Sequence, residues 1–402
     1  MVFWALGRLS PPLPSPAFDS ILAGYEKELQ WLHGELEKCF GKLKKEINEF
    51  RHFGIDIAKQ ADDSVVMSQL EYMRNLNPVK LDRVRGSGRT QETLASDQEI
   101  ADFRSLVAGI AWLGVTHGGA QAGASLFQAC LPNPLIKDVV GLNNLLEQLR
   151  SEYRPLKFVA GFRLDDIRIL PVCDSSLGNN SKYSQGAHTL LIAKASSPSL
   201  CGECAMISTR SGKSKRVANS TMAAECLALL QGCEEGLLLQ SWLHELRFPT
   251  LRAIELLEIS GPELPEMIPC TDCEDLHAVL VKPAAPAPTN RSLVLHLSAL
   301  RDMKEQLNVR EWTWIDTHDN VANPLTKLEK DGRLPLDILT RTVESCYWEP
   351  KSLFKFGSTP TKPTPSSTNG AGYSTGPRKG RFGHILQNTE SWAPVNAFSS
   401  RL

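Results

Sequence analysis

Three acidic residues fall at the ends of predicted strands or in the first turns of a predicted helix. Asp174 ends the β-prone run ILPVCD, Asp272 ends MIPCTD, and Glu225 lies near the start of an apolar helix. Carboxylates that meet at one sheet edge repel one another unless a cation lies between them, and Mg²⁺ prefers oxygen ligands. Paired Mg²⁺ ions can activate water and stabilise the leaving oxygen in phosphodiester hydrolysis. The competing interpretation is that the aspartates cap turns and that Glu225 favours a helix N-terminus.

The sequence around Glu225 predicts a helix that approaches a sheet closely. Ser220 or Thr221 can cap this helix, because a hydroxyl accepts hydrogen bonds from the exposed backbone N–H groups of the first turn. Alanine, leucine and cysteine then recur at helical spacing. Gly232 and Gly236 follow Glu225 by seven and eleven residues and so share its face. We expect this smooth face to hold the carboxylate over the edge of the sheet.

The pattern on both sides of this helix predicts an α/β fold with one mixed sheet. Three hairpin-like strands precede the helix, and strands alternating with helices follow it, which is typical of a sheet with helices packed on it. The predicted strands cover 167–173, 189–195, 205–208, 267–271 and 311–316, and the later helices cover 275–281, 293–306 and a segment starting near residue 320. Pro171 and Pro269 lie inside two of these strands, where we expect bulges or irregular pairing, because proline donates no hydrogen bond to the ladder.

The chain of 402 residues is long enough for two or three domains. Its composition and periodicity change several times along its length, which predicts the regional boundaries. The predicted regions are a proline-rich disordered start at 1–20, a helix plus a hairpin at 21–90, three helices at 91–155, the mixed sheet at 160–345, and a disordered tail at 351–402 that is rich in Ser, Thr, Pro, Gly and basic residues.

Four segments, in order, resemble the ribonuclease H domain of copia-type retrotransposon Pol polyproteins. They are VCDSSLGNNSKYSQGAHTLLIA, ISTRSGKSKRVANSTMAAECLAL, IPCTDCEDLHAVLVK and REWTWIDTHDNVANPLTK. Upstream, HFGIDIAKQADDSVVMSQLEYMRNL and ADFRSLVAGIAWLGV resemble the end of the family's reverse transcriptase. The resemblance covers roughly residues 30–345. It implies a ribonuclease H-like mixed sheet flanked by helices, preceded by the end of a polymerase palm at 21–90 and a thumb- or connection-like helical region at 91–155.

The resemblance also implies an activity and its residues. Asp174, Glu225 and Asp272 would be catalytic and would bind Mg²⁺ or Mn²⁺, for hydrolysis of the RNA strand in RNA–DNA hybrids. The family's fourth acid is replaced by Asn323, which loses the charge, and the following proline disfavours helical geometry there. Asp319 is the nearest substitute acid. We therefore expect weak cleavage, or alternatively a catalytically inactive remnant with a nucleic-acid-binding or scaffold role. A third alternative is a structural or interaction protein that uses the helices at 91–155 as a docking surface.

Polymerase activity is not expected from this chain alone. The aromatic-x-Asp-Asp turn of the palm is missing, because the resemblance begins after it. Two Asp-Asp pairs occur, at 62–63 and 165–166, but the first falls in a predicted hairpin turn and the second in a linker strand region. Neither is expected to form a polymerase site.

The charge distribution limits where nucleic acid could bind. The formal net charge is −1, so no global basic field exists and any nucleic-acid surface must be local. A basic run precedes Glu225 and could contact the phosphate backbone, although a solvated turn is nearly as good an interpretation. Its members are Arg210, Lys213, Lys215 and Arg216.

The remaining candidates concern cysteine, histidine, tryptophan and cellular location. The two C-x-x-C pairs at 201–204 and 270–273 can signal zinc, but packed or free thiols fit their separation better. His318 could shuttle a proton or be an exposed loop residue, and Trp312 and Trp314 are expected to pack in the core. Scattered cysteines, the absence of a recognisable signal peptide and the lack of a long apolar run predict an intracellular protein, cytoplasmic or nuclear, without a membrane partner.

Overall fold

The computed structural model describes residues 2–8, 19–82, 88–178, 184–248, 263–282, 290–306, 308–351 and 353–354. These residues belong to one compact unit, which extends over residues 1–356. The predicted tail at 351–402 lies almost entirely outside the described residues. None of the described helices combines the length and the apolar character that a bilayer crossing requires.

Fifteen strands and nine α-helices are described. The strands are β1 (Val2–Arg8), β2 (Asp19–Gly24), β3 (Leu43–Ile47), β4 (Glu49–His52), β5 (Ile55–Lys59), β6 (Val65–Ser68), β7 (Leu156–Phe158), β8 (Ile167–Ser176), β9 (Gln185–Lys194), β10 (Gly202–Lys213), β11 (Glu266–Met267), β12 (Cys270–Thr271), β13 (Thr313–Ile315), β14 (Tyr347–Trp348) and β15 (Leu353–Phe354). The helices are α1 (Glu26–Phe40), α2 (Leu70–Asn75), α3 (Asp97–Leu113), α4 (Gly118–Gln128), α5 (Ile136–Ser151), α6 (Thr221–Arg247), α7 (Glu274–Val281), α8 (Arg291–Gln306) and α9 (Asp337–Ser345).

A mixed sheet lies at the centre, as the sequence predicts. Its strands run in the order β14-β10-β9-β8-β12-β13-β15, and β11 also pairs with β8. The three long strands β8, β9 and β10 are antiparallel, whereas β11 and β12 lie parallel to β8 and β13 lies parallel to β12. The parallel pairing is what matters for chemistry, because it brings the carboxyl ends of β8 and β12 to one edge.

The two strand prolines have different effects. Pro171 pairs in register with Leu190, and the antiparallel ladder between β8 and β9 continues through it without a bulge. On the opposite side of β8, Pro269 separates β11 from β12, so the expected irregularity occurs there. The ladder between β9 and β10 does contain a register shift, but it falls between Met206 and Ser208, away from either proline.

Helices cover both faces of the sheet. On one face, α6 packs with α7 and α8 over a core that contains Ile169, Leu190 and Leu229. On the other face, α3, α4 and α5 share a core with the sheet residues Val172 and Leu191. The regions that the sequence predicts at 91–155 and 160–345 therefore combine into three layers, with the sheet between two layers of helices.

The N-terminal part is more ordered than its composition predicts. Val2–Arg8 forms a strand between β2 and β3, which replaces the disorder expected for these residues; most of the rest of 1–20 lies outside the described residues. The predicted hairpin near 52–67 is confirmed as β5 and β6, within the sheet β4-β5-β6-β7. Backbone pairing with distant strands stabilises the first strand, and proline content alone does not report such pairing.

The helix expected to begin near residue 320 does not form. Two short 3₁₀ turns, Thr317–Asp319 and Asn323–Leu325, occupy this segment instead. Pro324 lies inside the second turn, where its missing N–H and its ring oppose a longer helix. The segment consequently stays close to the sheet edge and carries side chains toward it.

Candidate metal centre

The structure brings Asp174, Glu225 and Asp272 together. Each offers a carboxylate oxygen, and these three oxygens all lie within 4.8 Å of one another. Asp174 and Glu225 are buried, each with 4% of its surface exposed, and Asp272 is half-buried. Within the described ranges this is the only group of three or more potential metal ligands.

Strand pairing explains why the two aspartates meet. Thr271 of β12 lies in register with Cys173 of β8, and the strands are parallel. Asp272 directly follows Thr271, and Asp174 directly follows Cys173. The two aspartates therefore lie next to each other at the same edge of the sheet. Trp314 fixes the end of β12, because its indole Nε1 donates to the Asp272 carbonyl oxygen at 2.9 Å.

The close approach of α6 brings in the third acid. Ser220 caps the helix, since its hydroxyl accepts a hydrogen bond from the Ala223 backbone N–H at 3.2 Å, as predicted. A Cβ atom at Gly232 would lie only 2.5 Å from Cys173 Sγ, and one at Gly236 would lie 2.9 Å from Met267 Sδ. Glycine at these positions lets the helix rest directly on the sheet, which places Glu225 over the strand ends.

Hydroxyl groups orient the buried carboxylates. Ser175 donates to Glu225 Oε1 twice, through its backbone N–H at 3.1 Å and its hydroxyl at 2.9 Å. The Thr326 hydroxyl lies 2.6 Å from Asp174 Oδ2. Glu225 Oε2, in contrast, is buried without a hydrogen-bond partner. A buried acceptor left in this way costs about 1–3 kcal/mol, so this oxygen is suited to a ligand from outside the chain.

Burial raises the pKa values of all three acids, and neighbouring acids add to the shift for Glu225 and Asp174. Burial raises the pKa of Glu225 to about 9, and the charges of Asp174 and Asp272 add to the shift. Burial raises the pKa of Asp174 to about 7, with Asp272 adding to the shift and the Thr326 hydrogen bond and Lys327 opposing it. The pKa of Asp272 is also raised, chiefly by burial. The cluster therefore retains protons near neutral pH when no cation neutralises it.

The donor set fits a hard divalent cation. Carboxylate oxygens suit Mg²⁺ and Mn²⁺, and three of them lie within reach of a shared ion. The unpartnered Glu225 Oε2 supplies a free acceptor in the same place. Because ligands must be deprotonated to bind a metal, such an ion would displace the protons that burial favours.

The predicted fourth position lies beside the cluster. Asn323 begins the second 3₁₀ turn, and its backbone oxygen lies 3.1 Å from the Thr326 hydroxyl that contacts Asp174. The Asn323 side-chain Oδ1 is buried without a hydrogen-bond partner. Asp319 serves elsewhere, because its Oδ2 accepts the Lys351 backbone N–H at 2.7 Å and it does not belong to the acidic group.

The basic run reaches the same edge of the sheet. Ser176, two residues after Asp174, pairs with Gln185, which pairs with Lys213 on β10. Lys213 and Lys215 are exposed there. Arg210 forms an ion pair with Glu235 at 2.7 Å, and Arg216 contacts His296. All four side chains of the run are exposed.

The other candidate residues do not belong to the acidic cluster. Cys270 packs in the core beneath α3–α5 and Cys273 in the core beneath α6, and neither C-x-x-C pair joins a group of potential metal ligands in the described structure. His318 is exposed. Trp312 is a core residue as predicted, whereas Trp314 holds Asp272.

The Asp-Asp pairs are occupied by contacts with other residues of the chain. Asp62 accepts hydrogen bonds from Ser64, and Asp63 forms an ion pair with Lys59 at 2.6 Å. Asp165 pairs with Arg163, and Asp166 accepts from Ser196. Asp62 also forms an ion pair with Lys157 at 3.2 Å, so both Asp-Asp pairs have protein partners, and neither belongs to the acidic cluster.

Sequence reasoning missed the hydroxyl residues of the site. Ser175 directly follows a predicted ligand, so its position in the chain was a usable signal. Thr326 lies 152 residues from Asp174, and only the folded chain brings the two side chains together.

Comparisons with known proteins do not show a family for this chain. No protein-family model and no curated protein matches the sequence. Among solved structures, it is similar to the N-terminal RNase H domain of a Mycobacterium tuberculosis protein, solved as a fusion with maltose-binding protein. The alignment covers 44% of this chain and 98% of that one, at 13% sequence identity and a TM-score of 0.26. Because this TM-score is low, we base the description of the fold and of the acidic site on the residues of this chain alone.

Proposed function

We propose that this chain is a metal-dependent endonuclease of ribonuclease H type, derived from a copia-type retroelement, which cleaves the RNA strand of RNA–DNA hybrids. One observation carries the proposal: three carboxylates from β8, α6 and β12 converge within 4.8 Å at the edge of a mixed sheet. None of the three forms an ion pair within 4.0 Å with another described residue. Their pKa values are raised, so a cation from solution is needed to stabilise all three in the ionised form.

The chain's own groups would hold the reactants. Asp174, Glu225 and Asp272 would bind Mg²⁺ or Mn²⁺, which when bound activates water and stabilises the leaving oxygen of a phosphodiester. Ser175 fixes the orientation of Glu225 through two hydrogen bonds. Lys213 and Lys215, exposed at the same edge, would contact the backbone of the hybrid without reading its sequence.

A second candidate function is an inactive remnant that still binds nucleic acid. Asn323 favours it, because an uncharged amide stands where the resemblance implies a fourth acid. An amide oxygen can still bind a cation, but it supplies no charge to compensate a second one. We therefore expect a weakened two-ion site and slow cleavage.

The test is cleavage of a labelled RNA–DNA hybrid by the full chain, with Mg²⁺, Mn²⁺ or EDTA. Duplex RNA, duplex DNA and single-stranded RNA serve as comparison substrates. Asp174→Asn, Glu225→Gln and Asp272→Asn should each lower cleavage by more than about a hundredfold, because each removes a charge that acts in the transition state. Asp275→Asn is the matched control, since this exposed aspartate lies three residues after Asp272 and outside the cluster.

The outcomes separate the two candidates. Hybrid cleavage that requires metal and the three acids supports the nuclease. Hybrid binding without cleavage by wild type, together with cleavage gained by Asn323→Asp, identifies an inactive remnant. Cleavage that persists in EDTA or in the Asp174→Asn protein contradicts the proposed chemistry.

A further inference from the structure

Thr326 contacts the cluster from a fully buried position. Its side chain has no exposed surface, and its hydroxyl oxygen lies 2.6 Å from Asp174 Oδ2. The same oxygen lies 3.1 Å from the Asn323 carbonyl oxygen. A hydroxyl has one proton, so it can donate to only one of these acceptors at a time. The shorter distance to an acceptor that becomes charged favours donation to Asp174.

The turn that carries Thr326 is held by the sheet. The Ser176 hydroxyl donates to the Thr326 carbonyl oxygen at 2.8 Å. One residue earlier, the Leu325 carbonyl oxygen accepts the Ser211 hydroxyl at 2.6 Å. These two bonds come from β8 and β10, on either side of β9. The backbone position from which Thr326 reaches Asp174 is therefore fixed.

The helical layer extends this support. Gln185 Nε2 donates to Ser211 Oγ at 2.8 Å and to Ser125 Oγ on α4 at 3.0 Å. Gln121, also on α4, bonds the Ser211 backbone twice, by accepting its N–H at 2.6 Å and donating to its carbonyl oxygen at 3.1 Å. The contacts thus run from α4 through β10 to the turn at the metal centre.

A hydrogen bond to one carboxylate oxygen restricts rotation of the carboxylate about its Cβ–Cγ bond. That rotation sets the direction in which Asp174 faces Glu225 and Asp272. Hydrogen-bond partners of a ligating carboxylate typically change metal affinity by about 10- to 100-fold when they are removed. Thr326 is such a hydrogen-bond partner of Asp174.

We propose that Thr326 is a positioning residue of the metal centre, whose hydroxyl sets the orientation of the Asp174 carboxylate toward a bound cation. The inference rests on the proposed function for the identity of the cation site. It does not depend on whether the site cleaves a hybrid, because it concerns the affinity for the ion.

Calorimetric titration of the full chain with Mn²⁺, at one pH, tests this role. Thr326→Val keeps the shape and removes the hydroxyl, and should weaken Mn²⁺ binding by about tenfold or more. Thr326→Ser restores the hydroxyl and should return the affinity to within about threefold of wild type, a rescue that loss of packing does not explain. If the valine variant does not fold, Thr326→Cys takes its place, because a thiol is a much weaker donor.

Thr342→Val is the matched control. Thr342 is also buried, with 4% of its surface exposed, and its hydroxyl donates to the Ile338 carbonyl oxygen at 2.9 Å within α9. This variant should bind Mn²⁺ as wild type does.

Each outcome decides the inference. Wild-type affinity in Thr326→Val overturns the positioning role and leaves the nuclease proposal intact. Mn²⁺ binding by wild type without hybrid cleavage defeats the nuclease proposal, while the valine and serine variants still decide the role of Thr326. Failure of wild type to bind Mn²⁺ overturns both.

Discussion

Two buried glutamates in this chain meet opposite surroundings. Glu99, with 2% of its surface exposed, is bound by Arg89, whose guanidinium nitrogens lie 3.0 and 2.5 Å from its two oxygens. Backbone N–H groups of Ser96 and Asp82 add hydrogen bonds. Glu225, with 4% exposed, faces two further acids and has one oxygen without a partner.

The pKa values follow this difference. The hydrogen bond from Arg89 is the largest cause that lowers the pKa of Glu99 to about 2, so this acid is ionised throughout the physiological range. Burial, together with the charges of Asp174 and Asp272, raises the pKa of Glu225 to about 9. The two glutamates therefore have opposite protonation states, because Arg89 binds the charged form of Glu99, whereas burial and two neighbouring acids disfavour the charged form of Glu225.

The difference between Glu99 and Glu225 favours a role for the acidic cluster in binding a cation. A buried ionised group without a partner costs several kcal/mol, and the chain avoids this cost at Glu99 with an arginine. At Glu225 it instead adds two more acids. An arrangement that destabilises the protein on its own is reasonable where a cation from solution completes it. This reasoning supports the metal centre independently of any similarity to other proteins.

The largest expected effect comes from the same substitution at both glutamates. In EDTA at pH 8, Glu99→Gln should lower stability by about 2 kcal/mol, because it weakens hydrogen bonds made to a charged group. Glu225→Gln should instead raise the melting temperature, since the folded wild type must keep a proton that the unfolded chain releases. Thermal unfolding of the two variants beside wild type measures both. Loss of stability in both variants would show that the two sites do not differ in this way.

The pH dependence of these differences is a smaller but more specific effect. A carboxyl with a raised folded-state pKa binds more protons when folded, so stability falls as pH rises from about 4.5 toward the folded value near 9. The advantage of Glu225→Gln should therefore grow from pH 5 to pH 8. For Glu99, whose pKa is lowered to about 2, the contribution is present above about pH 4.5 and disappears as pH falls toward 2.

Only the difference between variant and wild type isolates these effects. Burial lowers the pKa of His277, which makes stability rise with pH in part of the same range. That contribution is common to wild type and both variants and cancels in the difference. Melting temperatures measured in EDTA at half-unit steps would provide both curves. A Glu225→Gln difference that is flat with pH would contradict the raised pKa.

Local sequence patterns singled out the three acids that converge, although the same patterns also allowed the aspartates to be turn caps. The cap at Ser220, the glycines that follow Glu225 and the aspartates of the β-prone runs are all features of short segments. The predicted strand end at Asp174 was wrong by two residues, because β8 continues in register with β9 to Ser176. The convergence of the three acids required that β8 and β12 be parallel and adjacent and that α6 rest closely on the sheet. Alternating strands and helices predict such an arrangement, because a helix that crosses between two strands makes them parallel.

Long-range packing was beyond the same patterns. The three helices at 91–155 were identified, but their position on the second face of the sheet depends on contacts such as those between Gln121 and Ser211. The strand Val2–Arg8 is stabilised by β2 and β3, so its own composition was misleading. The turn at Asn323 differed from the expected helix because its proline and its contacts with the sheet outweighed helical periodicity.

Proton release on metal binding tests the central claim most directly. Mn²⁺ is titrated into the full chain at pH 8 in two buffers with different ionisation enthalpies, and the difference in heat gives the number of protons released. Because Glu225 keeps a proton at this pH, its ionisation on metal binding should release about one proton or more per protein. Asp275→Asn should give the same value. Absence of Mn²⁺ binding, or binding without proton release, would contradict the proposal that these three acids form a metal centre.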